Sequence, residues 1–287
     1  MRFLNGFGLF ALVSGLWLGL EQFAGGFVSA AHAQAGLPTD GGLLLQEAVT
    51  PVMHDLVALH DWLMIIISLI VGLVMLLLLI VIVRFNHRAN PTPTKNTHNT
   101  LLEIAWTVVP VMILVAIAIP SFRLLYKQLA IPEAEVTVKA VGYQWYWGYE
   151  YPDNGDIEII SNMVGDEDLE PGQPRLFTAD EAMVVPVDTT VRVIVTSADV
   201  IHAFAVPSFG VKIDAVPGRL NETWFRVEKT GMYYGQCSEL CGQRHAFMPI
   251  NVKVVSKAEF RQWTQEQQAS AGSGNKIKMA QTPAAAH

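Results

Sequence analysis

Three long runs of apolar residues lie in the first half of the chain, and they predict two kinds of segment. Residues 3–20 contain no charge and follow Arg2. Further along is Ala31-His32-Ala33, which fits the Ala-x-Ala motif after which signal peptidase cleaves. We therefore predict a cleaved export signal over residues 1–33, followed by a periplasmic segment over residues 34–61. An uncleaved anchor helix is the alternative interpretation.

The second and third runs are long enough to cross a membrane. Residues 62–83 carry no charge and form about 33 Å of helix, which matches a hydrocarbon core of about 30 Å. Residues 104–122 are also uncharged, and prolines such as Pro110 and Pro120 are tolerated in spanning helices. We predict membrane helices over residues 62–84 and 104–126; a buried helix of a soluble protein is the alternative for the second.

Basic residues indicate how the helices are oriented. Arg84, Arg88 and Lys95 lie at or within the connection predicted over residues 85–103, whereas residues 34–61 contain no Lys or Arg. The positive-inside rule then puts the connection in the cytoplasm. The sequence thus predicts a two-pass protein of the bacterial inner membrane, with its C-terminal part in the periplasm.

After Glu135 the pattern changes to short stretches rich in β-branched and aromatic residues, separated by Gly and Pro turns. Such stretches predict strands of a small antiparallel sandwich or barrel; they cover residues 136–141, 190–196, 223–227 and 249–255. We therefore predict an all-β domain over residues 127–255. Residues 256–287 then form a terminal helix, which Ser256 and Glu259 begin as a capping box, and a disordered tail.

Composition restricts the function classes. Of the 287 residues, 51% are hydrophobic and 16% are charged, which favours a membrane protein. The net charge of -7 argues against a nucleic-acid partner, because phosphate contacts need a surplus of Lys and Arg, and it favours a basic partner. Cys237 and Cys241 are the only cysteines, so no framework of disulfides is predicted.

The segment richest in metal ligands is 237–248, which contains two thiols, an imidazole and a thioether. Upstream, His202 follows a predicted strand, and a β domain could bring it beside this segment. Thiolate and thioether are soft ligands and imidazole suits copper, so an electron-transfer copper site is favoured. A structural zinc site on the two Cys and two His residues is one alternative, and a plain disulfide between Cys237 and Cys241 is the other.

The run Cys-Ser-Glu-Leu-Cys-Gly-x-x-His-x-x-Met, with His202 upstream, resembles the binuclear copper site, CuA, of cytochrome c oxidase subunit II. The similarity covers nearly the whole mature chain. It implies a two-helix transmembrane hairpin followed by an all-β cupredoxin-like Greek-key barrel. It also implies copper ligands, which are the bridging thiolates of Cys237 and Cys241, the terminal imidazoles of His202 and His245, the Met248 thioether and the Glu239 carbonyl. The Glu239 side chain would bind Mg at the boundary with subunit I.

The resemblance further implies that the chain accepts electrons from cytochrome c and passes them to the haems of subunit I, where oxygen is reduced and protons are pumped. Trp145 would be the point where electrons enter, although its aromatic stretch alone indicates a strand with core and surface rings. Glu103 would stand at the mouth of a proton path, although alone it indicates an interfacial anchor. Acidic residues would dock the basic cytochrome c: Glu150, Asp156, Asp180 and Asp199.

Three other functions compete with this one. Quinol oxidase subunits have a similar fold but lack copper ligands, and nitrous oxide reductase shares the copper motif but is soluble and longer. The third is a membrane-tethered binding module held by a disulfide or by zinc, which a metal assay would distinguish. The sequence contains no Cys-x-x-Cys-His, the haem attachment motif, so the donor cytochrome would be a separate protein.

Overall fold

The computed structural model describes residues 36–39 and 41–272, so the predicted export signal and most of the predicted tail lie outside it. Among the described residues two helices come first, α1 (Pro51–Arg84) and α2 (Thr100–Leu129). Both are long and apolar enough to cross a membrane, and their apolar side chains are exposed over most of their length. A third helix, α3 (Lys257–Gly272), begins with the capping box that the sequence predicts, in which Ser256 and Glu259 each accept a bond from the other's backbone N–H.

Helix α1 begins well before the apolar run that predicts it. Thr50 is its N-cap and accepts a hydrogen bond from the Met53 N–H, and Pro51 occupies the first turn. The eleven residues from Pro51 to Asp61 include several polar side chains, and they extend the helix by about 16 Å beyond the apolar run. Hydropathy locates the membrane-spanning part of the helix but cannot detect these polar turns.

Within the part of the chain that the structure describes, ten strands follow the second helix. They are β1 (Val136–Tyr143), β2 (Tyr146–Tyr151), β3 (Ile157–Ser161), β4 (Met183–Pro186), β5 (Val191–Ser197), β6 (His202–Val206), β7 (Val211–Ala215), β8 (Asn221–Phe225), β9 (Gly231–Gln236) and β10 (Pro249–Val255). The four stretches predicted from sequence correspond to β1, β5, β8 and β10.

The strands form a five-stranded sheet in the order β3-β2-β1-β5-β8, a three-stranded sheet in the order β4-β10-β9, and the pair β6-β7. The β1–β5 and β4–β10 pairs are parallel, and the other pairs are antiparallel. The predicted fold class, a helix hairpin followed by an all-β cupredoxin-like barrel, is confirmed.

The core of the barrel follows the two-residue period of its strands. In β5, Val191, Val193 and Val195 are fully buried, while the residues between them are partly exposed. Strand β6 is instead buried at every position, because β1 and β9 both pack against it. Since His202 is the first residue of β6, its imidazole lies inside the domain.

The β domain is attached directly to the ends of both membrane helices. The Thr50 hydroxyl donates to the Phe209 carbonyl (2.7 Å), and His54 contacts Glu228 (3.2 Å). At the end of α2, the Trp224 indole donates to the Lys127 carbonyl (3.2 Å). The hairpin and the barrel therefore form one connected body.

Candidate metal centre

The centre is built from two loops that meet at one end of the barrel. The first leads from β5 to β6 and ends at His202; the second connects β9 to β10. The Cys237 N–H donates to the Met248 carbonyl (3.0 Å), which closes the second loop. The Ser238 N–H donates to the Ala203 carbonyl (3.1 Å), which fastens that loop to β6. The cysteines are thus held beside the buried histidine.

The predicted ligands converge on a pair of sulfur atoms. The Cys237 and Cys241 sulfurs lie 3.8 Å apart. Nδ1 of His202 lies 3.8 Å from the Cys237 sulfur, and Nδ1 of His245 lies 3.6 Å from the Cys241 sulfur. The Glu239 carbonyl oxygen lies 3.3 Å from the Cys237 sulfur. Each sulfur therefore has one imidazole of its own, and His202, Cys237 and Cys241 form a group able to hold a metal ion.

Met248 is fully buried and belongs to the same core cluster as Cys237 and Cys241. Its backbone carbonyl receives the bond that closes the loop, so its backbone position is tied to that of Cys237. The thioether is thereby kept in the buried core of the domain.

Asp199 holds the His202 ring in place. Nε2 of His202 donates to its carboxylate (2.9 Å), which leaves Nδ1 directed at the sulfurs. The same carboxylate accepts the backbone N–H groups of Gln144 (2.7 Å) and Val200 (2.6 Å). Burial raises the pKa of Asp199, but these hydrogen bonds outweigh it and lower the pKa below its usual value. Asp199, predicted as a docking acid, is therefore also a positioning residue of the centre.

The two thiols differ in their tendency to ionise. Burial raises the pKa of Cys237, but hydrogen bonds to His202 and to the Glu239 backbone outweigh it, and the pKa falls below its usual value. For Cys241, burial and the charge of Cys237 both raise the pKa. Cys237 is therefore the thiol that ionises more readily. A bound metal ion would deprotonate both thiols, because a coordinating thiol is deprotonated outright.

Gly142 leaves the space that the His202 ring occupies. A Cβ atom at Gly142 would lie 2.8 Å from Cδ2 of His202, closer than carbon atoms approach. We expect Gly142→Ala to displace the ring and to lower metal affinity by about tenfold or more, as changes around a metal ligand do. The metal content per subunit after dialysis against a chelator is the measurement. Gly148→Ala is the matched control, since its Cβ would come closest to the Tyr143 side chain at 3.2 Å and would meet backbone atoms only at 3.9 Å or more; equal metal retention in both variants would contradict the prediction.

The turn between β1 and β2 lies over the cysteine loop. The Gln144 amide donates to the Cys241 carbonyl (2.9 Å), and the Trp145 indole N–H donates to the same oxygen (3.3 Å). Gly242, with φ of +119°, allows this close approach, because a Cβ there would lie 3.2 Å from both the Gln144 amide and the Trp145 ring. Trp145 is thus one hydrogen bond away from the backbone of a candidate metal ligand.

Known families match both parts of the chain. Residues 136–255 match the family described as cytochrome c oxidase subunit II, periplasmic domain, and residues 38–124 match the corresponding transmembrane domain. A probable cytochrome c oxidase subunit 2 of Rickettsia bellii is 52% identical over 254 residues, covering 88% of this chain and 94% of that protein. The chain belongs to the cytochrome c oxidase subunit II family.

Other members of the cytochrome c oxidase subunit II family match at similar levels. The subunit 2 of Cereibacter sphaeroides is 46% identical over 274 residues, covering 86% of this chain and 90% of that protein. The crystal structure of the periplasmic domain of subunit II of cytochrome oxidase of Bradyrhizobium japonicum is 59% identical, covers 49% of this chain and 99% of that one, and has a TM-score of 0.46. As a member of this family, the chain is a two-pass membrane protein of an oxidase complex.

Two residues to which the subunit II resemblance assigns roles lie far apart. Glu239 is exposed on the cysteine loop, beside Leu240, which is 78% exposed. Its side chain is open to a partner while its carbonyl faces the Cys237 sulfur. Glu103 lies in the first turn of α2, after the N-cap Asn99. The 30 residues of α2 span about 45 Å, so Glu103 is at the end of the helix remote from the metal centre.

The charges of three carboxylates act on Tyr143, two residues before Trp145, and one of the three, Glu150, also forms an ion pair with Lys139 (2.9 Å). Glu150 and Glu158 face each other across the β2–β3 pair, and Asp199 approaches from the β5–β6 turn. Burial and the negative charges of these three residues raise the pKa of Tyr143. We call Glu150, Glu158 and Asp199 the acidic face; Glu158 is an addition to the predicted docking residues.

The other two predicted docking acids occupy different positions. Asp180 accepts the Asn162 N–H (2.7 Å) just beyond the end of β3, and Ser161, which ends β3, pairs with Trp147. Asp156 lies in the β2–β3 turn, at the end of β2 away from Trp145. Asp156 is two residues before Glu158, so it lies beside that member of the acidic face rather than beside Trp145.

Proposed function

We propose that this chain holds a binuclear copper centre, CuA, through which electrons from a cytochrome c reach the haems of subunit I. The arrangement of one imidazole beside each of two neighbouring sulfurs carries the proposal. Two metal ions side by side, bridged by Cys237 and Cys241, would each receive one terminal histidine. The Glu239 carbonyl and Met248 would complete the two coordination spheres.

The donor set suits copper better than the alternatives. A structural zinc ion takes four ligands, which would leave the carbonyl of Glu239 and the Met248 thioether unused. A disulfide between Cys237 and Cys241 would not require an imidazole at either sulfur. Soft sulfur ligands together with imidazole are the set associated with copper electron-transfer sites.

The chain keeps this donor set rigid. When bound, the copper pair supplies a site that takes up one electron and shares it between two ions. Asp199 fixes the His202 ring, and the Cys237 to Met248 backbone bond fixes the loop. The sulfurs are buried, which limits solvent rearrangement when the charge of the site changes. Little atomic movement is then needed for electron transfer, and oxygen reduction is left to the haem-bearing partner.

A direct test is metal analysis of the purified oxidase with electron paramagnetic resonance. We expect copper in subunit II and a hyperfine pattern from one electron shared by two copper nuclei. Zinc without copper in this subunit, or a signal from a single copper nucleus, would contradict the proposed centre.

Trp145 is proposed as the point where electrons enter. An electron from the reduced donor would cross the indole, its hydrogen bond and the Cys241 backbone, and it would be taken up by the copper pair that the two cysteines hold. The acidic face and Asp180 would attract the basic surface of the donor and speed the encounter. Asp156 was predicted for the same role, but its distance from Trp145 gives it a smaller part.

We expect Trp145→Ala to slow electron input by at least about tenfold, which equals about 1.4 kcal/mol in the barrier, because the hydrogen-bonded path from the indole to Cys241 is lost. Stopped-flow oxidation of ferrous cytochrome c measures the rate, and equilibrium binding to the oxidase is expected to change much less. Trp145→Phe keeps an aromatic ring without the N–H and should give an intermediate rate. A wild-type rate in the alanine variant would mean that electrons enter elsewhere.

The remaining roles follow from the positions of single residues. The exposed Glu239 carboxylate would bind Mg at the boundary with subunit I, because a hard cation prefers oxygen ligands. Glu103, at the other end of α2, would stand at the mouth of a proton path into subunit I. These positions agree with a chain in the bacterial inner membrane, with the copper domain in the periplasm and the connection between the helices in the cytoplasm.

A further inference from the structure

A cleft of about 540 Å³ lies between the two membrane helices, at the end nearer the β domain. Its apolar part consists of residues from both helices, among them Leu59, Trp62, Pro120 and Leu124. Its polar part consists of Asp55, Arg123 and Lys127. The cleft thus joins an apolar surface to a charged one.

The position of the cleft coincides with the boundary of the hydrocarbon region. Trp62 begins the apolar run of α1, and Arg123 directly follows Phe122, the last residue of the apolar run of α2. Tryptophan is the side chain enriched at the level of the lipid head groups. The charged part of the cleft is therefore at head-group depth, and its apolar part reaches the acyl chains.

The charges around the cleft leave one cation without a partner. Lys127 forms an ion pair with Asp55 and donates to the Pro51 carbonyl (3.0 Å). The guanidinium of Arg123 has no ion pair or hydrogen bond with any group in residues 36–39 and 41–272. The three charged side chains that line the cleft therefore carry a net charge of +1.

We propose that this cleft binds the head group of an anionic phospholipid from the membrane leaflet nearer the β domain. The Arg123 guanidinium would bind the phosphodiester through two parallel N–H bonds, a geometry that arginine favours. The acyl chains would lie against Leu59, Trp62 and Pro120. One negative lipid neutralises the cleft, whereas a zwitterionic lipid brings no net charge, so the site prefers the anionic lipid.

The test uses the assembled oxidase in nanodiscs of phosphatidylcholine that contain a minor fraction of phosphatidylglycerol with a photoactivatable head group. We expect label on peptides that contain Asp55 to Trp62 and Pro120 to Lys127. Unlabelled phosphatidylglycerol should displace the label, and phosphatidylcholine should not. We expect Arg123→Gln to lower labelling about fivefold, the factor given by one basic group at a membrane surface, and Arg123→Lys to keep most of it.

The matched control is Arg226→Gln, which removes an exposed arginine of the β domain and should leave the label unchanged. Equal labelling of wild type and Arg123→Gln would overturn the proposal. Absence of label at the cleft in the wild-type complex, with a cross-link from the cleft to another subunit instead, would identify it as a subunit interface and would overturn the proposal as well. The displacement measurement needs no variant, so it decides the question even if Arg123→Gln fails to assemble.

Discussion

Replacement of Cys241 by serine is expected to abolish the CuA signal of the oxidase and to lower its turnover with cytochrome c by at least about 100-fold. This decrease is larger than the decrease expected when a residue that only supports a metal ligand is lost. The Cys241 sulfur lies between the Cys237 sulfur and the His245 imidazole. A serine hydroxyl is a hard donor that keeps its proton, so it cannot bridge two soft ions. Copper content, the paramagnetic signal and steady-state oxygen consumption are the measurements.

Ser238→Ala is the matched control in the same loop. The Ser238 hydroxyl donates to the Gln236 carbonyl (3.2 Å), while its backbone N–H, which the substitution keeps, holds the loop to β6. The control is expected to retain copper and turnover. Haem content must be equal in both variants, so that loss of assembly is not mistaken for loss of electron transfer. Full turnover in a Cys241→Ser oxidase with normal haem content would defeat the copper proposal.

Gly235→Ala is expected to destabilise the β domain by about 3 kcal/mol or more, at or above the upper end of the cost of overpacking. An added Cβ would lie 2.0 Å from the Ala205 carbonyl oxygen and 3.2 Å from Cα of Val206. Both atoms belong to the backbone of β6, so no side-chain rotation relieves the overlap. Strands β6 and β9 would have to separate, and these are the strands that lead to His202 and Cys237.

Thermal unfolding of the purified chain in detergent, followed by near-ultraviolet circular dichroism, measures this effect. A loss of 3 kcal/mol corresponds to a fall in Tm of about 10 °C for a domain of this size. Gly72→Ala adds the same methyl group where no atom lies within 4 Å and should leave Tm unchanged. If the Tm of Gly235→Ala matched that of wild type, β6 and β9 could not cross as closely as the structure places them.

The parts of the fold that follow from local pattern could be predicted. The apolar runs after Trp62 and after Glu103 identify both membrane helices, and β-branched stretches identify β1, β5, β8 and β10. Other strands escaped prediction, and for two of them the structure shows the reason. Strands β4 and β6 are buried on all sides and lack an alternating pattern, whereas the aromatic stretch around Trp145 did indicate a strand, which is β2. The polar turns at the start of α1 have no apolar signal.

Some features of the candidate metal centre could likewise be predicted from local sequence, and others could not. Its cysteine loop is continuous in sequence, so the spacing from Cys237 to Met248 predicts it. Asp199 lies three residues before His202, but its contact with the Gln144 backbone joins residues 55 positions apart. The need for glycine at Gly142 arises only where β1 meets the His202 ring. Features that depend on the crossing of distant strands are not encoded in any local pattern.

The direct attachment of the barrel to both helix ends restricts how the proposed copper centre would exchange electrons. Carriers that hang on a flexible tether can swing between donor and acceptor, but here Thr50 and Trp224 tie the barrel to the hairpin on two sides. The cysteine pair would then keep a constant height above the lipid and a constant tunnelling distance to a haem in a bound neighbour. In the proposed electron transfer the mobile component would be the soluble donor, which would arrive, react and leave while the acceptor stays still.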